Sequence, residues 1–590
     1  MEFYTTRKTI FLQELAMQRS KYNTLSMARL AMAVIFLILG YYSIAATDGS
    51  QFVVGMVICA VVFSVLMKKH TQVSQQKERA EALVKVNENE IAYLNGTALP
   101  FDDGAEFVNF QHPYSHDLDV FGQRSLFHNL NRTETYKGKQ KLAAMLNGIT
   151  PQDEILKNQH AIKELAAKPE WRQEVMALGR NNKDSVAVYQ RLTNWLQRAA
   201  GDVSAIAAII AVASPMAIVV CLMGYFTTGD TTFTTVGGYL IAFNLSFILG
   251  YVKIIKKEVG DTTEIHDIIR RYSLVIEQLE NENFESEKLT ALKANLYYNE
   301  QKASLHIKKL AKLFGQMDIV NNILGAAVLN GFLLFHFHVY KSLVKWKKQH
   351  AQNVPLWLDA IAEAEALGSL GNLYYNNPDF TFPTLSTNGE IAFKNLAHPL
   401  IKKQVRVGND IVFKPGFTIL TGSNMSGKST FLRSLGINMV LAGAGAPVCA
   451  TEAVVHPLPV LVSMRLSDSL SDSESYFFAE IKRLRQIMDA LGNGRAFVLL
   501  DEILRGTNSD DKQMGTIKVI KKMVGLNVVG AIATHDIEVC DTALQYPDKL
   551  VNRCFEVQII DNELYFDYKL RDGICKNKSA TFIMEKMGVV

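Results

Sequence analysis

No two cysteines in this 590-residue chain stand at C-x-x-C spacing, and none of the six (Cys59, Cys221, Cys449, Cys540, Cys554, Cys575) has a histidine partner at metal-ligand spacing. That removes the zinc sites and dithiol redox pairs that a sequence can announce. Two of the six lie in apolar runs, so buried free thiols in a reducing compartment are expected. A surplus of charge is lacking too: 62 Lys and Arg against 58 Asp and Glu leave +4, which by itself announces no nucleic-acid binder. Glycine is scarce from Ile254 to Lys312, where Gly260 stands alone. That charged stretch is read as one long helical lever. What is abundant is apolar residue, 48% of a chain far too long for one core, so several domains are expected.

The apolar excess is concentrated. Residues 27-MARLAMAVIFLILGYYSIAA-46, 52-FVVGMVICAVVFSVLM-67, 203-VSAIAAIIAVASPMAIVVCLMGYF-226 and 234-TTVGGYLIAFNLSFILGYV-252 are near the ~20 residues that cross a bilayer as helix. Pro215 is tolerable in such a helix. The connecting loops 47–51 and 227–233 carry acid and no Lys or Arg, whereas Arg7, Lys8, Arg19, Lys21, Lys68, Lys69, Lys253, Lys256 and Lys257 flank the outer ends. The positive-inside rule then predicts two membrane hairpins with both termini in the cytoplasm, in an inner or plasma membrane. A fifth apolar stretch, 319–340, is interrupted by Asn321, Asn322, Asn330, His336 and His338 and is read as a buried soluble helix.

Chemistry is written near the carboxyl end. In 421-TGSNMSGKST-430, Gly422, Gly427, Lys428 and Ser429 fill the pattern G-x-x-x-x-G-K-[ST], preceded by a buried strand (417-FTIL-420) and followed by a helical pattern. Backbone N–H groups over Gly422, Ser423, Asn424, Met425, Ser426, Gly427 and Thr430 cradle phosphates in such a loop, the lysine reaches the terminal phosphates and the serine hydroxyl binds Mg²⁺. The strand 497-FVLLDE-502 ends in two acids: Asp501 is expected to hold Mg²⁺ with Ser429, and Glu502 to orient and deprotonate the attacking water. The strand in 528-VVGAIATHD-536 leads to His535, placed to contact a γ-phosphate.

These segments, with 499-LLDEILRGTNSDD-511, 119-DVFGQRSLFHNLNRTETYKGKQKL-142, 397-AHPL-400 and 568-YKLRDGICKNKSATFIMEKMGV-589, resemble the DNA mismatch repair MutS family. The resemblance implies an ABC-like ATPase that hydrolyses ATP at composite sites in a homodimer. It implies that Asn424, Lys428 and Ser429 serve ATP and Mg²⁺, that Ser475 in 472-DSESYFFAEIKRL-484 reaches the partner subunit's γ-phosphate, and that 505-RGTN-508 crosses the dimer interface. Ser473 stands where that family usually has glycine, Leu504 replaces a glycine before Arg505, and Arg406 takes the place of an aromatic that stacks on adenine, a task a guanidinium can also perform. No mismatch-reading domain with a Phe-x-Glu wedge is expected around 2-EFY-4, and the second hairpin lies where the family's DNA clamp would interrupt the helical core.

The fold expected is multidomain: four transmembrane helices in two hairpins, an all-α MutS-type core and lever region, and a carboxyl-terminal α/β ABC-like P-loop ATPase domain. Its divisions are 1–75 with the first hairpin, 76–200 core-like helices, 201–253 the second hairpin, 254–385 lever and core, and 386–590 the ATPase. The function expected is a membrane-anchored, Mg²⁺-dependent ATPase whose ATP-driven closure moves the levers, with mismatched-DNA binding added by the resemblance. The alternatives are an ATP-controlled membrane scaffold and a transporter-like ATPase. Against the transporter, the four apolar helices contain almost no ionisable residue to mark a polar route.

Overall fold

The computed structural model describes the chain except for residues 47–48, 181–183, 260–262, 299, 318–322, 414–415, 424, 466–475, 493, 561–562 and 576–590. The described residues form two compact units: Met1–Pro100, Glu170–Glu280 and Ala303–Gln352 in one, Phe101–Pro169, Asn281–Lys302 and Asn353–Val590 in the other. All six cysteines are free, and all but the half-buried Cys221 are buried.

The first unit is helical throughout its described residues. Helices α1 (Glu2–Ala45) and α2 (Ser50–Asn95) run far beyond the apolar runs that seed them, because no Gly or Pro follows Lys68 until the end of α2. Their charged halves pack through Phe11, Leu15, Ala80, Leu83 and Val84, with Arg79 bound to Glu174. Their apolar halves are bare: Leu37 is 71% and Ile44 88% exposed. Helices α3 (Ala205–Thr228) and α4 (Thr232–Val259) form a second pair, turned at Gly229 in the left-handed region (φ 70°). These four helices are long and apolar enough to cross a membrane, by length and composition.

Two expectations are corrected here. The stretch from Ile254 to Lys312 is not one lever. It contains the end of α4, helices Thr263–Asn281 and Glu287–Ala294, a hairpin of Tyr297–Tyr298 with Gln301–Lys302, and the start of helix Ala303–Met317. Its first separate helix buries Ile265, Ile268, Ile269, Tyr272, Val275, Ile276 and Leu279, an apolar stripe at helical spacing that the surrounding charge conceals. Nor do residues 323–340 form one helix. They belong to α5 (Ile323–Leu333) and α6 (Phe335–His350), bent by 79° where Leu334 adopts φ 48°.

The second unit joins helices to two sheets. Helix Tyr136–Asn147 is capped by Thr135, whose hydroxyl accepts the Gly138 N–H. Behind this cap the fully buried Glu365, from helix Val354–Asn376, accepts the N–H groups of Glu134 and Thr135. A four-stranded sheet orders Thr384–Leu385, Glu452–Val455, Ile391–Leu396 and Asn409–Phe413.

A six-stranded sheet is built from β1 (Phe417–Gly422), β2 (Val460–Ser463), β3 (Phe497–Asp501), β4 (Val529–Ala533), β5 (Leu550–Ile560) and β6 (Glu563–Asp572), in the order β6-β5-β1-β4-β3-β2. All neighbours are parallel except β5 and β6. Strands β1, β3 and β4 are buried along their whole length, as strands covered on both faces must be, and their sequences are mostly apolar, broken by Thr418 and Thr421 in β1 and closed by Asp501 in β3. Helix α7 (Lys428–Gly443) follows β1, α8 (Tyr476–Leu491) precedes β3, and α9 (Ser509–Gly525) lies between β3 and β4. Phe417, Ile419, Val498, Leu500, Ile520 and Ile532 share the core beneath, each worth roughly 1.5–3 kcal/mol of burial.

Candidate functional site

Register places the site. Ala533 of β4 lies opposite Leu420 of β1 on one side and Asp501 of β3 on the other. The residues just beyond, Gly422, Glu502 and His535, therefore emerge at one edge, the carboxyl ends of parallel strands, where ligands of such sheets sit.

The loop between β1 and α7 is shaped by Gly427, which caps the helix at φ 104° and on which an added Cβ would stand 3.1 Å from the Tyr568 ring. Lys428 opens α7, so the loop delivers the first-turn N–H groups and the ammonium together. That ammonium is turned back on its own loop, donating to the carbonyls of Gly422 (2.8 Å) and Ser423 (2.9 Å). Burial lowers its pKa. The Ser423 and Ser426 hydroxyls are buried without a hydrogen-bond partner.

Asp501 is hydrogen-bonded to Ser429, and burial raises its pKa. Its Oδ1 is buried and unpartnered. One carboxylate oxygen with spare acceptor capacity beside a hydroxyl fits Mg²⁺, which takes few protein ligands and fills its shell with water and phosphate. No cluster of three or more His, Cys, Asp or Glu that could hold a metal occurs among the described residues. Glu502 sits in the left-handed region (φ 47°) with its N–H on the Ala533 carbonyl. His535 Nε2 lies against its carboxylate and pulls the pKa down to about 2. Arg505 Nη2 is 3.2 Å from the other oxygen, and His535 Nδ1 is 3.1 Å from the Gly422 carbonyl.

These residues border a cavity of about 380 Å³ lined by Lys428, Ser429, Thr430, Glu502, Arg406 and Tyr568, among others. Met425 and Ser426 line it as well, Met425 at φ 67° and largely exposed. The structure thus brings together Gly422, Ser423, Met425, Ser426, Gly427, Lys428, Ser429, Thr430, Asp501, Glu502 and His535. Asn424 and Ser475, like Ser473, lie outside the described residues. Arg406 reaches the cavity, but its guanidinium is ion-paired with Asp379, 3.2 Å from Cys449 Sγ and over the Phe380 ring.

Three residues were not singled out from sequence. Tyr568 faces the loop from β6, held by its carbonyl on Asn409 Nδ2 (3.0 Å); an aromatic in an alternating edge strand carries no local mark of a site. His398 lines the cavity with its pKa lowered to about 4 by burial, and the quoted 397-AHPL-400 was the available signal. Glu480 on α8 is buried and accepts the N–H groups of Leu504 (2.6 Å) and Arg505 (3.0 Å), supporting the turn that carries Glu502.

Phosphate loop, helix N-terminus, hydroxyl–carboxylate pair and strand-end acid define a phosphate-loop site on the carboxyl edge of a parallel sheet. Residues 418–589 match the family model MutS domain V. The likeness to that family is therefore shown for the carboxyl-terminal part of the chain that the model matches. It is 30% identical over 204 residues to the DNA mismatch repair protein MutS of Pseudothermotoga lettingae, covering 33% of this chain and 24% of that one. To the protein of the same name from Thermotoga maritima it is 26% identical over 258 residues, 42% and 32% of the two chains. To the human MutS protein homolog 4 it is 28% identical over 217 residues, 35% and 22%. The chain thus spans about a quarter to a third of the length of the curated relatives it matches.

Proposed function

We propose that this protein is a membrane-anchored ATPase that binds Mg²⁺-ATP in the cavity beside Lys428 and hydrolyses it at a site completed by a second copy of the chain. The observation that carries the reading is the convergence, on one strand edge, of Lys428, the Ser429–Asp501 pair with its spare Asp501 oxygen, and the Glu502–His535 pair. Lys428 would exchange its two loop carbonyls for phosphate oxygens, a gain in charge complementarity. Ser429 and Asp501 would hold Mg²⁺, which when bound neutralises phosphate charge. Glu502, ionised across the physiological range, would orient water and take its proton, with His535 fixing the carboxylate and contacting the terminal phosphate. Arg505 now occupies part of the Glu502 carboxylate, so activation would require that ion pair to loosen, as expected when 505-RGTN-508 meets a partner subunit. Ser475 would supply the contact to that partner's γ-phosphate.

Anchoring is supported by bare apolar surface on α1 to α4, which water would not tolerate, with both termini on the cytoplasmic side by the lysine and arginine placement. Relatives named for DNA mismatch repair make mismatched duplex DNA a candidate ligand, against which the near-balanced net charge of +4 weighs. The test uses the detergent-solubilised full chain: Mg²⁺-dependent ATP turnover lost in EDTA is the expected result, and no ATP binding at millimolar nucleotide would remove the reading. Salt-dependent binding of mismatched duplex, absent at low salt, would remove DNA from it and favour an ATP-controlled scaffold.

A further inference from the structure

Helix α5 carries no charge, and from Gly325 to Tyr340 the chain has no Asp, Glu, Lys or Arg. With 11 residues it is about 16 Å long, half of a ~30 Å hydrocarbon core, so it cannot span alone. It lies against α3 and α4, and near their middles. An added Cβ on Gly331 would stand 3.0 Å from Ile241, and the Gly331 carbonyl accepts Asn244 Nδ2 at 2.8 Å. Asn244 Oδ1 in turn accepts the Ser214 hydroxyl at 2.7 Å.

A proline inside the continuous helix α3 and the break between α5 and α6 meet here, and each frees a backbone polar group. Pro215 has no N–H, which deprives the Ala211 carbonyl of its helical partner; His338 Nε2 lies 2.9 Å from that oxygen. The bend at Leu334 leaves the Gly331 carbonyl to Asn244, and the first-turn N–H of His336 donates to Asn330 Oδ1 at 3.0 Å. Ser214, Asn244, Asn330 and His336 are all buried. Each of these freed groups is thus answered by a side chain rather than left for water. In hydrocarbon each such backbone group left unanswered would cost several kcal/mol; the polar atom of this cluster left without a partner is His336 Nε2. Meanwhile the outer face of α5 presents Val328, Phe332 and Leu333, 60%, 40% and 51% exposed.

Depth agrees. From the Asn244–Gly331 contact, α6 runs alongside α4 with Phe337 against Phe247 and Tyr251. The first cations after that contact are Lys253 on α4 and Lys341 on α6, nine (253 − 244) and ten (341 − 331) residues on.

We propose that α5 is a membrane-inserted half-helix, docked on α4 by the Asn244–Gly331 bond that Ser214 of α3 orients, with the following α6 held to α3 by the His338–Ala211 contact, and with Val328, Phe332 and Leu333 of α5 facing lipid acyl chains. The inference rests on the membrane reading of α3 and α4, and the experiment separates the two. The full-length protein is reconstituted in phosphatidylcholine vesicles containing a phosphatidylcholine with an acyl-chain diazirine, irradiated, digested and mapped by mass spectrometry. Adducts are expected on α3, α4 and α5, with those on α5 at Val328, Phe332 or Leu333. Adducts on α3 and α4 with none on α5 would overturn the half-helix while leaving the anchor standing; none on any of the three would overturn both. Asn244→Leu, which removes the donor to Gly331, is expected to spread α5 adducts onto the face now packed on α4. An unchanged pattern would overturn docking through Asn244.

Discussion

The carboxylate of Glu480 receives the N–H of Leu504 at 2.6 Å and, through its other oxygen, that of Arg505 at 3.0 Å. Both Glu502 and Leu504 stand in the left-handed region, so the turn beyond β3 is one that side-chain-bearing residues rarely adopt unaided. Glu480 belongs to α8, which begins directly after residues 466–475, the segment containing Ser475. A movement of α8 would therefore be felt at Glu502 through two hydrogen bonds.

Glu480→Ala is expected to lower ATP turnover while leaving ATP affinity within a few-fold, because Lys428 and Ser429 are not touched. Loss of two bonds to a buried carboxylate is worth about 1.5–3 kcal/mol each in stability, so the melting temperature should fall as well. Glu480→Gln keeps one acceptor and should recover part of both. Equal loss of binding and turnover would mean that Glu480 supports the domain as a whole rather than the turn.

Lys428→Ala should weaken ATP binding roughly ten- to a hundred-fold, the equivalent of one charge-assisted contact of 1.5–3 kcal/mol. Isothermal titration with ATP on the full chain in detergent reads this directly. Unaltered affinity would show that the ammonium stays on the Gly422 and Ser423 carbonyls when nucleotide is present.

The site's local parts were legible because each is carried by contiguous residues: 417–430, 497–502 and 528–536 place β1, β3 and β4 and the loop between β1 and α7 within a residue or two. Arg406 was legible as a pocket residue but not in its Asp379 pairing, which joins positions 27 residues apart. Glu480 and Tyr568 act through contacts distant in sequence, and nothing local marks them, whereas His398 stood in the quoted 397-AHPL-400 but reaches the cavity only through the fold. The lever was misread for a related reason. Charge on one face of helix Thr263–Asn281 dominated its appearance, while the isoleucine stripe on the other decides its packing. The bend falls on Leu334 itself, which is neither Gly nor Pro, and the surrounding helices supply the groups that make it affordable.

Glu365 gives a test of pH dependence. Burial raises its pKa from 4.5 to about 8, so the folded protein keeps this proton over a range in which the unfolded chain releases it. Between those values the folded state binds more protons, and stability must fall as pH rises, by at most about 1.4 kcal/mol per pH unit from this group. Glu365→Gln should flatten the slope of melting temperature against pH between 5 and 8. Its absolute stability should be lower, because an amide NH₂ replaces an oxygen that accepts backbone N–H. A slope as steep as the parent's would assign the effect to other groups.

Glu502→Gln separates binding from hydrolysis. The amide keeps the size of the side chain and can still meet His535, but it cannot accept the proton of an attacking water. With the carboxyl normally held down to about 2 by His535, the parent has its base ionised at any working pH, so the variant's defect should not be rescued by raising pH. Turnover should fall by roughly 10²- to 10⁴-fold, the contribution of a general base, while Lys428, Ser429 and Asp501 still retain Mg²⁺-ATP. Unhydrolysed ATP should then accumulate a closed dimer, read by ATP-dependent crosslinking or sedimentation of the full chain in detergent. Adding Ser475→Arg to the same background should abolish closure through the bulk of the longer side chain at the partner's phosphate, leaving each chain's own ATP affinity unchanged. Closure that persisted in the double variant would remove Ser475 from the interface. Equal monomer fractions with and without ATP in Glu502→Gln itself would remove the composite site, because an ATP held by one chain alone has no reason to trap two chains together.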